Sequence, residues 1–134
     1  MAKIVSVDNK LKLGLIGCVV AIIILTILEF PAPVGFETRP QDNVSIGWLL
    51  FFLTIVVTEI ATIPLILKKP TLGLRFGIVA GVLNILQVIA DQLHLMQPEV
   101  APLYYSLLEY SVASISMVLI YLSLKVNKLH RENS

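Results

Sequence analysis

Charge is scarce in this chain, and inside its long hydrophobic runs it is of one sign. Lys, Arg, Asp and Glu make up 14% of the 134 residues, against about 25% in an ordinary soluble domain. Cysteine is reduced to Cys18, so neither a disulfide nor thiol-pair chemistry can form within one chain. Lys and Arg are missing from the interiors of all the long apolar runs. No glycine-rich phosphate loop, nucleophile elbow or metal-ligand spacing is present, and no cofactor is indicated. A formal net charge of +1 excludes the basic footprint of a nucleic-acid partner. The runs share no internal motif, which weighs against an inverted-repeat carrier.

What is present is hydrocarbon. With 57% hydrophobic residues and a mean hydropathy of +0.88, the chain is suited to a lipid bilayer, its expected partner. A bilayer core takes roughly 20 apolar helical residues to cross. Four segments reach that length: Leu13–Glu29, Ile46–Leu67, Leu74–Met96 and Pro102–Leu124. The expected fold is an all-α membrane protein, with one four-helix transmembrane domain over residues 1–134 arranged as an antiparallel bundle. The basic residues ahead of the first segment give it the look of a secretory signal. No small-residue cleavage site follows, so it is expected to remain as a span.

Basic residues orient the bundle. Lys3, Lys10 and Lys12 precede the first span, Lys68, Lys69 and Arg75 surround the second connection, and Lys125, Lys128 and Arg131 follow the last span. The two other connections hold only Arg39 of the ten Lys and Arg residues. Cytoplasmic loops are enriched in such residues, so both termini are expected in the cytoplasm, with the cell membrane as the expected location. The outer loop 30–45, punctuated by Pro31, Pro33, Gly35 and Pro40, is the connection long enough to cap the bundle.

Each span carries an acid: Glu29, Glu59, Asp91 and Glu109. On the third span, Gly77, Gly81, Asn84, Gln87, Asp91 and His94 follow one helical stripe. Gly77 and Gly81 would admit a close neighbour, either a second copy or a partner membrane protein. On the fourth span, Tyr105, Ser106 and Glu109 share a face. Counted along the helices, Glu29, Asp91 and Glu109 converge in the outer half, with His94 one turn above Asp91. Glu59 lies deeper, in a row with Thr54, Thr58 and Thr62 and one turn before Pro64.

An acid at a helix centre costs roughly 2.5–3.5 kcal/mol on insertion scales. Neutralising a Glu of ordinary pKa at pH 7 costs roughly 3.7 kcal/mol. The two are nearly equal, so small changes in surroundings decide which form is held. Plainer roles compete: Glu29 can touch headgroup water, Asn84 and Gln87 can serve as interhelical hydrogen bonds, and Trp48, Phe30, Tyr104 and Tyr105 can form an interfacial aromatic belt.

Three functions remain open from the sequence. The first is binding or translocation of a proton or small cation by Glu59, Asp91, His94 and Glu109, with Glu29, Asn84, Gln87 and Tyr105 as auxiliary polar groups. The second is an enzyme or carrier acting on a lipid-soluble substrate through carboxyl acid–base chemistry. The third is an accessory subunit whose acids pair with a partner membrane protein.

Overall fold

The computed structural model describes residues 2–132 and is all-helical. Helix α1 runs Ala2–Leu28, α2 Ile46–Lys68, α3 Pro70–Gln92 and α4 Leu103–Glu132, with a short 3-10 turn at Gln41–Asn43. All four are long and apolar enough to cross a membrane. Large apolar side chains such as Leu53, Ile60, Leu107 and Met117 lie exposed, while Glu29, Glu59, Asn84, Asp91 and Glu109 are buried. That inversion of the soluble pattern suits lipid as the solvent.

Local chemistry accounts for most boundaries. Ser45 caps α2, its hydroxyl accepting the Trp48 N–H. Lys69 is the single residue between α2 and α3, held at φ −138° by the proline that follows it. Pro70 then opens α3, where its missing N–H costs nothing.

The end of α3 departs from expectation. The apolar run predicts a helix through Met96, yet α3 stops at Gln92. His94 turns to φ 58°, and the His94 and Leu95 amides bond back to the Asp91 and Ala90 carbonyls at 2.9 Å each. This is a Schellman cap with histidine where glycine is usual. At the opposite extreme, α1 and α4 run several residues past their apolar spans.

Each helix packs against two neighbours around a ring, α1–α2–α3–α4 and back to α1, with α3–α4 the most extensive seam and α1–α2 the least. Glycine explains the tight seams. A Cβ on Gly73 would lie 2.4 Å from the Ile66 amide nitrogen, and one on Gly81 would lie 2.7 Å from Ile120 and 3.0 Å from the Ser116 carbonyl. Gly77 faces Ser123 and Leu119 in the same way. The Gly77 and Gly81 face, expected to receive a partner, is therefore filled by α4 of the same chain. Leu15, Val19, Ile22, Ile66, Leu74, Val112, Leu119 and Val126 form the apolar core. It occupies the part of the bundle toward the α2–α3 turn, leaving the end beneath loop 30–45 to polar side chains.

Candidate functional site

Loop 30–45 folds down onto the end of the bundle and carries charge into it. Its Phe36 amide returns to the Leu28 carbonyl at 2.8 Å, and Pro31 and Glu37 bridge. A Cβ on Gly35 would lie 2.3 Å from the Phe30 carbonyl oxygen, so only glycine fits this fold-back. Tyr104 on α4 pins the loop from outside, donating to the Phe36 carbonyl at 2.7 Å with Thr38 Oγ1 at 3.0 Å.

Arg39 is the centre of this arrangement. Its Nε and Nη2 donate to Glu37 Oε2 at 3.0 and 2.7 Å. Nη2 also reaches Asp91 Oδ2 at 2.8 Å, while Nη1 bonds Asp91 Oδ1 at 3.1 Å and the Glu99 carbonyl at 3.3 Å. A guanidinium has five N–H donors, so all of them are engaged. The cation also lies 4.8 Å over the Tyr105 ring. Burial works against its charge, but hydrogen bonds to Glu37 and Asp91, and then their charges, outweigh burial and hold its pKa above the ordinary arginine value.

Beneath the loop lies a cavity of about 290 Å³. Its polar lining includes Glu29, Glu37, Arg39, Gln87, Asp91, Gln97, Tyr105 and Glu109; its apolar lining includes Phe30, Trp48, Leu49 and Phe52. Four carboxyl groups and one guanidinium thus line it, and two of the four, Glu37 and Asp91, bond the guanidinium. Glu109 is 1% exposed and Glu29 5%. Gln92 Nε2 holds Glu109 Oε2, but Glu109 Oε1 and Glu29 Oε1 are buried with no hydrogen-bonding group of the chain facing them.

The sequence-predicted residues divide. Glu29, Gln87, Asp91, Tyr105 and Glu109 meet at the cavity. Glu59 and Asn84 form a separate pair deeper in the bundle, Asn84 Nδ2 donating to Glu59 Oε1 at 2.7 Å and to the Ala80 carbonyl at 2.9 Å. The neighbouring threonines turn to their own helix, each hydroxyl bonding the carbonyl four residues back at 2.7–2.8 Å. His94 is exposed beyond the end of α3 and does not line the cavity. Its expected place one helical turn above Asp91 is lost because α3 has already ended. Trp48, Phe30 and Tyr105 line the cavity rather than only belting the interface.

Sequence reasoning missed Glu37, Arg39 and Gln92. The available signal was Arg39 itself, a lone basic residue among the connections poor in Lys and Arg, beside spans carrying unbalanced acids. Among the described residues, no three His, Cys, Asp or Glu side chains gather closely enough to hold a metal ion.

The fold and cavity thus define an integral membrane helix bundle with a loop-capped, acid-rich pocket at one end. Comparison with family models, curated proteins and solved structures finds no match for the chain.

Proposed function

We propose that the protein binds or translocates a proton or small cation at the loop-capped cavity. One observation carries the reading: every donor of Arg39, the only Lys or Arg among the described residues lining the cavity, is already engaged, while two buried carboxyl groups, Glu29 and Glu109, each keep an oxygen without a hydrogen-bond partner. An anion entering the cavity finds no free guanidinium donor among its four carboxyl groups. A cation or a proton finds acceptors. Glu109 and Glu29 supply the open acceptors in this reading, Asp91 stands beside them held by Arg39, and Glu59 with Asn84 is an inner relay.

The bundle is placed in the cell membrane as an antiparallel array with both termini cytoplasmic, because nine of the ten basic residues flank the termini and the α2–α3 turn. Loop 30–45 then faces outward, and the cavity is reached from outside. Attachment of a membrane-impermeant thiol reagent to Thr38→Cys, in a chain also carrying Cys18→Ala, checks this on intact cells; labelling only after lysis reverses the orientation.

The enzyme reading is the weaker one, since His94, its candidate base, lies outside the cavity. The test of the cation reading is thermal stability of the purified protein in mild detergent, against alkali-metal ions, ammonium ions and small carboxylates. Stabilisation by cations with proton release, lost in Glu109→Gln, is the expected result. Stabilisation by carboxylates that persists in Glu109→Gln would overturn it.

A further inference from the structure

The cavity has a mixed lining of carboxyl groups and aromatic rings, and no single class of simple ligand suits both. Glu29 and Glu109 line it, and each keeps one buried oxygen without a hydrogen-bond partner. Phe30, Trp48, Leu49 and Phe52 line it as well, Phe30 and Phe52 meeting edge to face at 5.6 Å. An inorganic ion would lose its hydration against the aromatic rings without compensation, and an apolar molecule would shut the carboxyl oxygens away without a donor. A quaternary ammonium has no N–H to offer them. An N–H-bearing ammonium on a short hydrocarbon chain satisfies both. Its head donates charge-assisted bonds to the carboxyls, and its chain lies on the rings. At about 30 Å³ per water-sized group, a cavity of about 290 Å³ admits a ligand of about ten non-hydrogen atoms.

We propose that the cavity is a site for a small primary or secondary alkylammonium ion, with its head between Glu29 and Glu109 and its chain along Phe30, Trp48 and Phe52. This rests on the cation reading of the same cavity and names its ligand class. Trp48 is the chain's sole tryptophan and lines the site, so the protein carries its own reporter.

The experiment is a Trp48 fluorescence titration of the full chain in mild detergent with n-alkylammonium ions of increasing length, tetramethylammonium, sodium and the matching n-alcohols. The expected result is a saturable change with the alkylammonium ions, with affinity rising about fourfold per methylene until the cavity is filled. Glu109→Gln should weaken it about tenfold or more, and Phe52→Ala should flatten the dependence on chain length. Leu107→Ala, on the lipid-facing surface, controls for partition into the micelle and should change neither. Sodium or tetramethylammonium binding as well as the alkylammonium ions, with no gain from the chain, would overturn this inference and leave the cation reading standing. Alcohols matching the ammonium ions, with Glu109→Gln unaffected, would overturn both. Should Glu109→Gln prove unfolded by its melting curve, the chain-length series in wild type and Phe52→Ala still decides the question.

Discussion

Arg39 and Asp91, 52 positions apart in sequence, face each other through a two-pronged pair, Nη2–Oδ2 at 2.8 Å and Nη1–Oδ1 at 3.1 Å, with both side chains about 5% exposed. The pair ties the longest connection of the chain to α3. It also brings a positive charge to acids whose own helices carry none nearby. Because Glu37 shares the same guanidinium, the loop supplies both the cation and one of its counter-charges.

Removing one member of such a buried pair leaves uncompensated charge, at a cost of about 3–5 kcal/mol. Arg39→Met should therefore lower the melting temperature sharply and open loop 30–45 to protease. Adding Asp91→Leu should cost less than the two single changes summed, because one of the two carboxylates stranded by the loss of Arg39 is gone. A double-mutant cycle by thermal unfolding in detergent reads this directly. Strict additivity would mean that the pair does not hold the loop.

The α2–α3 seam makes a steric prediction. Gly73→Ala places a methyl 2.4 Å from backbone that cannot yield locally, so the helices must separate, at about 1–3 kcal/mol or more. Gly17→Ala, with nothing within 4 Å of the new methyl, should be neutral or stabilising by up to about 1 kcal/mol. Melting curves of the two variants in the same detergent should lie on opposite sides of wild type, or nearly so.

Replacing His94 tests a conformational role. At φ 58° a non-glycine residue carries a penalty of roughly 1–2 kcal/mol, so His94→Gly should raise the melting temperature. Its response to cations should match wild type, since the side chain does not line the cavity. A loss of cation response in a well-folded His94→Gly protein would show that the histidine acts at the site.

Glu59 and Asn84 should prove only modestly coupled. Interhelical hydrogen bonds in membranes average about 0.6 kcal/mol and reach about 1.7, because the separated helices find other partners. A cycle of Glu59→Leu and Asn84→Leu should fall in that range. Glu59→Gln keeps an acceptor for Asn84 Nδ2 and should melt near wild type, while a relay role would appear as lost proton release on cation addition.

Much of the helical architecture was legible because crossing a bilayer demands long apolar helices, and the prolines and charged turns between them punctuate the sequence. The limits lay at caps. Leu93, Leu95 and Met96 continue the apolar character of α3 past its end, and hydropathy carries no trace of the left-handed turn at His94. The gathering of Glu29, Asp91 and Glu109 could be anticipated by counting residues along helices, since register is a local property. The use of Gly77 and Gly81 could not, because a small-residue face accepts a helix of its own chain as readily as one from a partner. The pairing of Arg39 with Asp91 was equally hidden.

Composition and periodicity by themselves determined that this chain belongs in a membrane, where its helices run, and that each carries an acid, because those features follow from the bilayer and from helical geometry. Tertiary structure alone decided that loop 30–45 folds inward, that Arg39 gives four of its donors to Glu37 and Asp91 and one to the Glu99 carbonyl, and that Glu29 and Glu109 share a cavity lining with aromatic rings. Those relations depend on the path of a loop through space. Hydrogen-bond geometry selects among the acids there, and sequence spacing carries no record of that choice.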